Sequence, residues 1–269
     1  MKFINFNLLL IILLIGCSNS LRKDSTPAHE SFTIESKQVG ETRTINVWTP
    51  PGYKTNKDSL PVMYMADGGV KEDFPHIANT IAKLIKSKKI QPLILVGIEN
   101  TQRRRDLTGP TIIDEDKKIA TIVGGSEKFR AFIKEELFTE INKRYRTTNE
   151  KSIIGESLSG LFVIETFLLT PEMFKNYIAF DPSLWWNNHY LVSIAKEHLA
   201  KFTTSEKRLW FAGSHEQTIS PYTNEMANIL KSENPSNLKW DYSYEPKEEH
   251  NTIFKATKEK AIIWILGNK

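Results

Sequence analysis

The chain reads as one α/β domain: a mainly parallel sheet of eight strands with helices on both faces. Three observations predict this. From residue 61 onward, short apolar strands alternate with helical segments, the pattern that right-handed crossovers turn into a parallel sheet covered on both sides. Two alternating segments precede them and read as a hairpin, which supplies an antiparallel edge. No linker, repeat or low-complexity tract divides the chain after its N-terminus, so residues 31–269 form a single domain.

The elements follow in order. Phe32 to Lys37 and Thr42 to Thr49 alternate around Gly40, and Pro50-Pro51-Gly52 stops the pattern. Pro61 to Ala66 is an apolar strand ending in Asp67-Gly68-Gly69; a helix over Pro75 to Lys86 and a strand over Pro92 to Ile98 come next. The stretch Glu99 to Gly125 is irregular, and loops of that length in compact domains are usually functional. Phe129, Phe132, Ile133, Leu137 and Ile141 then recur at helical spacing, predicting a helix over Ser126 to Tyr145. Strand 151–154, helix 158–169, strand 177–180, helix 190–201, strand 208–212, helix 221–231, strand 238–244 and helix 251–266 complete the chain.

The first 30 residues are of another kind. Lys2 precedes an apolar run, Leu8 to Ile15, too short to span a bilayer but of the size of a signal-peptide core. It ends in Leu14-Ile15-Gly16-Cys17, which resembles a bacterial lipobox, where cleavage precedes the cysteine and the thiol takes the lipid. Residues 1–16 are thus expected to be a signal and Cys17 the site of lipidation. Residues 17–30 are expected to be a polar tether holding the domain to a membrane at the cell envelope. Cys17 is the only cysteine, which excludes thiol-rich zinc sites and redox pairs. The net charge of +4 comes largely from scattered lysines, with no basic stripe carrying aromatics, so nucleic acid is not an expected partner.

The segment richest in chemistry is Ser152-Ile153-Ile154-Gly155-Glu156-Ser157-Leu158-Ser159-Gly160. An apolar strand runs straight into an apolar helix with a serine at the joint. A serine hydroxyl is a weak nucleophile, and a strained strand-to-helix turn presents it to a base. The turn needs small neighbours, here Gly155 and Ser159; the usual glycine at the second position is replaced by serine. A bare helix cap is the alternative role for Ser157.

A serine nucleophile requires a histidine base and a carboxylate that orients it, in the chain order Ser, acid, His. His250 follows the last strand and is the base this order selects from six histidines. For the acid, Glu216 in the loop after strand 208–212 is preferred. Asp181 at the end of the preceding strand competes, and a dyad without an acid stays open. Oxyanion donors are expected from the N–H of Leu158 and from Gly68 or Gly69, where glycine lets backbone approach substrate. Arg104 and Arg105 are candidates for holding an anionic or sugar-like substrate through forked hydrogen bonds. Of Trp185 and Trp186, one is expected to line the pocket mouth.

These pieces together resemble the esterase family that includes esterase D, enterochelin esterase and xylanase-linked feruloyl esterases. The likeness is carried by Tyr64 to Gly69, Arg104 to Thr108, the helix Phe129 to Tyr145, the elbow Gly155 to Phe162, Asp181 to Trp186, and His250. It implies an α/β-hydrolase fold with no metal and no cofactor. It also implies cleavage of a small-molecule carboxylic ester through an acyl-enzyme on Ser157, His250 and Glu216. Members cut siderophore lactones, thioesters and acylated sugars, and similar mycolyltransferases transfer the acyl group instead. Acyl transfer by the same residues, or ligand binding on a degenerate scaffold, are the alternatives to hydrolysis.

Overall fold

The computed structural model describes residues 25–202 and 206–267. Cys17 and the segment read as a signal lie outside the described residues. Residues 25–29, expected in the tether, pack instead on the domain: the His29 ring lies 5.4 Å edge-on to Phe74, and Asn79 donates to the Ser25 carbonyl at 2.9 Å.

Eight strands form one sheet: β1 (Glu30–Ser36), β2 (Glu41–Trp48), β3 (Leu60–Met65), β4 (Ile94–Ile98), β5 (Thr147–Glu156), β6 (Asn176–Phe180), β7 (Lys207–Ser214) and β8 (Leu238–Glu245). Their spatial order is β1-β2-β4-β3-β5-β6-β7-β8. The hairpin β1–β2 and the β2–β4 pair are antiparallel, and every other pairing is parallel. The expected antiparallel edge on a parallel sheet is therefore what the chain builds.

Period-two alternation divides the core into two layers. Val62 and Tyr64 of β3, Ile153 of β5 and Leu209 and Phe211 of β7 face one layer. Met63 and Met65, Ile154, and Trp210 and Ala212 face the other. The first layer is covered by α4 (Ser126–Ala131), α5 (Phe138–Arg144), α6 (Leu158–Leu169), α7 (Trp186–Ala200) and α8 (Ser220–Glu233). The second is covered by α1 (Phe74–Lys86) and α9 (Ile253–Leu266). α6 is apolar all round and nearly every residue in it is buried, as expected of a helix wedged between sheet and outer helices. Its Glu165 is neutralised by Arg130 at 3.0 Å.

Two departures from the expected elements matter for the site. The long loop holds two short helices, α2 (Arg103–Asp106) and α3 (Asp114–Lys118). α7 begins four residues early, through a left-handed run at Asn187, Asn188 and His189 with φ of 49–50°. That run is tied to the loop: the Asn187 N–H donates to Asp116 at 2.8 Å, and its side-chain oxygen accepts from the Ile112 N–H at 3.2 Å. The helix expected over 126–145 is one rod, α4 and α5 joined by a π-helical turn at Phe132–Leu137.

Candidate active site

In parallel sheets, loops after the strands gather at the carboxyl edge, where sites form. Ser157 stands there between β5 and α6 with φ 59° and ψ −120°, a backbone region that costs a non-glycine residue strain and marks functional turns. The turn is tight: a Cβ on Gly155 would fall 2.3 Å from Ser159 Oγ and 2.6 Å from its carbonyl carbon. Gly155 thus has to be glycine, while Ser159 fits with its hydroxyl turned into the cradle that Gly155 leaves. Ser159 is fully buried and its Oγ has no hydrogen-bond partner among the described residues.

His250 lies in the turn ahead of α9, and its Nε2 is 3.0 Å from Ser157 Oγ. Its Nδ1 is 3.0 Å from Asp181 Oδ2. Asp181 follows β6 with φ 42°, is fully buried, and receives two further hydrogen bonds from Ser214, from N–H at 2.6 Å and from Oγ at 2.7 Å. Asp181 thus fixes the Nδ1 side of the ring, and the Nε2 side faces the serine hydroxyl. The hydrogen bond to Asp181 raises the imidazole above its ordinary value, against burial, and the charges of Asp181, Glu156 and Glu216 add to the rise. Ser183 Oγ is a second neighbour of Ser157 Oγ, at 3.4 Å.

The carboxylate that meets His250 is Asp181 rather than Glu216. The chain turns right after β7, so Ser214 faces the site and Glu216 swings aside, half-buried, with only the Thr218 hydroxyl, among the described residues, on its carboxyl at 3.4 Å. The glycines expected as oxyanion donors are also committed elsewhere. The Gly68 N–H donates to the Ile98 carbonyl at 2.9 Å, and a Cβ there would strike Gly97 Cα at 2.3 Å, so this glycine serves close strand packing. The Gly69 N–H donates to Glu72 Oε2 at 2.7 Å. The Leu158 N–H, in the first turn of α6, has no intrahelical acceptor.

The arginines are likewise redistributed. Arg105 binds Glu41 and Asp106, both at 2.7 Å, within an ion network that includes the fully buried Arg43; it anchors the loop to β2. Arg104 is exposed and donates to the Ile119 carbonyl. The arginine nearest the expected oxyanion loop is Arg103, bidentate on Asp67 at 2.6 and 2.8 Å, with Asn100 on the same carboxylate at 2.5 Å. Trp186 is buried and donates to the Gly109 carbonyl at 2.9 Å, whereas Trp185 stays half-exposed. Among the described residues, no group of three or more His, Cys, Asp and Glu side chains is arranged to hold a metal ion.

Fold and edge geometry together define an α/β-hydrolase. The Esterase family pattern matches residues 36–266, and the chain belongs to that family; it is a carboxylic ester hydrolase. It is 28% identical over 225 residues to the ferri-bacillibactin esterase BesA of Bacillus subtilis (strain 168), covering 74% of this chain and 78% of that one. It is 26% identical over 216 residues to the siderophore triacetylfusarinine C esterase of Aspergillus fumigatus, covering 72% and 66%. Among solved structures, an IroE-like serine hydrolase from Shewanella oneidensis superposes with a TM-score of 0.82 at 26% identity, over 88% of this chain and 79% of the other.

Proposed function

We propose that this chain is a serine esterase that cleaves siderophore-type carboxylic esters through an acyl-enzyme. The observation that carries the reading is the continuous hydrogen-bonded chain from Ser157 through His250 to Asp181. Neutral His250 takes the hydroxyl proton on Nε2 while Ser157 Oγ bonds to the ester carbonyl carbon. Asp181 occupies Nδ1–H, so the incoming proton has one place to go. The Leu158 N–H is the donor aimed at the developing oxyanion. The imidazolium then protonates the departing alcohol as the carbon–oxygen bond breaks. Water next gives a proton to His250 and attacks the acyl carbon, and collapse releases the carboxylic acid and restores Ser157. The substrate class is supported by the two relatives named as siderophore esterases.

Ser157→Ala is expected to lower turnover of both 4-nitrophenyl acetate and enterobactin by about 10⁴-fold or more with an unchanged melting temperature. It should also abolish labelling by a fluorophosphonate. Wild-type turnover in that variant would reject the assignment. The address is proposed from sequence alone: Cys17 carries a lipid that tethers the enzyme at the cell envelope. Cys17→Ser should release it from membranes, and a variant that stays in the membrane fraction would refute the anchor.

A further inference from the structure

The turn after β6 carries more than Asp181. It runs Asp181-Pro182-Ser183-Leu184-Trp185-Trp186 and is fixed from several sides. The Ser157 N–H donates to the Phe180 carbonyl at 2.9 Å, and the Ser183 N–H donates to the Ser157 carbonyl at 3.1 Å. The turn is thus stitched to the backbone of the nucleophile itself. Leu184 is fully buried, and the Trp186 N–H closes on the Ser183 carbonyl at 3.1 Å. α6 presses on the turn as well: a Cβ on Gly160 would fall 3.0 Å from the Phe180 carbonyl oxygen and 3.2 Å from Pro182 Cα.

Ser183 leaves this turn with its side chain against the nucleophile. It is buried, and among the described residues its hydroxyl has one hydrogen-bond partner, Ser157 Oγ at 3.4 Å. Ser157 Oγ in turn has two, His250 Nε2 at 3.0 Å and Ser183 Oγ. Each hydroxyl brings a single hydrogen. The mechanism proposed above directs the Ser157 hydrogen at His250, which leaves Ser183 as the donor of the pair and Ser157 Oγ as its acceptor.

We propose that Ser183 is a catalytic residue of the second half-reaction: its hydroxyl donates to Ser157 Oγ and stabilises that oxygen as it leaves the acyl group. The inference rests on the acyl-enzyme reading. The two half-reactions use Oγ differently. In acylation an electron pair of Oγ moves into the new carbon–oxygen bond while its proton passes to His250, so a donor on that oxygen has little to hold. In deacylation water adds to the acyl carbon and gives a proton to His250. The carbon–Oγ bond then breaks, the electron pair returns to Oγ, and His250 hands that proton to it. The Ser183 hydroxyl keeps its own proton throughout and meets the charge that gathers on Oγ before the proton arrives. A separation of 3.4 Å is long for two hydroxyls, so the contact draws little density from the resting nucleophile. Catalytic hydrogen bonds of this kind tighten as the reaction proceeds. The fixed turn holds the donor in place, and the departing Oγ closes the gap.

The test compares the full chain with its Ser183→Ala variant on 4-nitrophenyl acetate. Stopped-flow release of 4-nitrophenol follows acylation. Intact mass of acid-quenched samples follows the acetyl group on the protein and its loss. Ser183→Ala is expected to slow loss of the acetyl group about tenfold. Over the same comparison kcat/KM, which reports acylation, should stay within about twofold. kcat and KM should then fall together, with more of the enzyme acetylated at steady state. A serine that only packs would not separate the two steps. Equal losses in both steps, or acetyl loss at the wild-type rate, would overturn the role of Ser183 and leave the esterase reading intact. An acetyl group found on neither protein would strike the acyl-enzyme reading instead.

Discussion

Two carboxylates follow adjacent strands at the same edge of the sheet, and they have opposite fates. Asp181, after β6, is fully buried and takes two hydrogen bonds from Ser214 and one from His250. Glu216, after β7, is half-buried and, among the described residues, reaches only the Thr218 hydroxyl, at 3.4 Å. Proximity does not separate them, since the charge of each raises His250. Organisation does. A carboxylate whose lone pairs are already occupied by fixed donors can hold an imidazole in one tautomer, and a carboxylate free to rotate in partial solvent cannot.

The sharpest way to break this comparison is to neutralise each carboxylate in turn. Asp181 is asked to accept three hydrogen bonds, and asparagine brings one acceptor oxygen and an NH₂. With that oxygen on the Ser214 N–H, the substituted amide would face His250 and force Nδ1 to accept, moving the ring proton to Nε2. Asp181→Asn is therefore expected to lower kcat by about 10³–10⁴, whereas Glu216→Gln should stay within about twofold. The same pair differs in pH response. Activity needs neutral imidazole, and Asp181 holds His250 above its ordinary 6.5. The acidic limb of kcat/KM should thus lie above pH 6.5 in wild type and move down in Asp181→Asn. The sign for stability is opposite. A raised imidazole stabilises the fold when protonated, fully below pH 6.5, and the gain fades as pH rises through the folded value. His250→Gln should then lower the melting temperature more at pH 5.5 than at pH 8.5. Equal losses from the two carboxylate variants would erase the distinction drawn between them.

An intermediate effect is expected from the residue that organises Asp181. Ser214→Ala deletes the 2.7 Å hydroxyl donor and leaves the 2.6 Å N–H. A hydrogen bond to a charged group contributes about 1.5–3 kcal/mol, and part of that is recovered when the carboxylate relaxes onto its remaining donors. A fall in kcat of about tenfold with KM unchanged is expected. A KM effect alone would place Ser214 in substrate binding instead.

The two carboxylates also mark how far the sequence could be read. The alternating strands, the joint Gly155-Glu156-Ser157 and the position of His250 after the last strand are local signals, and each is found where its pattern places it. The acid is not local. Asp181 and Glu216 both follow apolar strands, and the choice depends on which way the chain turns after β7, which Ser214 decides through contacts 33 residues away in sequence. The signal available was Asp181-Pro182, a carboxylate fixed at the end of the strand flanking the nucleophile strand. The partners of the arginines are hidden for a related reason. Arg103, Arg104 and Arg105 share one helical turn, where successive side chains diverge by about 100°, so a run of three identical residues sends each to a different partner. Composition marks such a run and cannot say which member meets Asp67.

The smallest expected effect concerns Ser159, where the elbow departs from glycine. Its hydroxyl is buried, without a hydrogen-bond partner among the described residues, and fills the space over Gly155. Ser159→Gly removes a buried polar group that has lost its water, a gain of about 1 kcal/mol. It also places glycine in the first turn of α6, a loss of about half that relative to serine. The net gain is about 0.5 kcal/mol. A melting temperature within about 2 °C and kcat/KM within about twofold are expected. The Ser157 geometry depends on Gly155 being small and on the strained backbone, and neither changes. A large drop in kcat would instead mean that the Ser159 hydroxyl takes part in the reaction, and the division between a nucleophile at 157 and a packing residue at 159 would have to be redrawn.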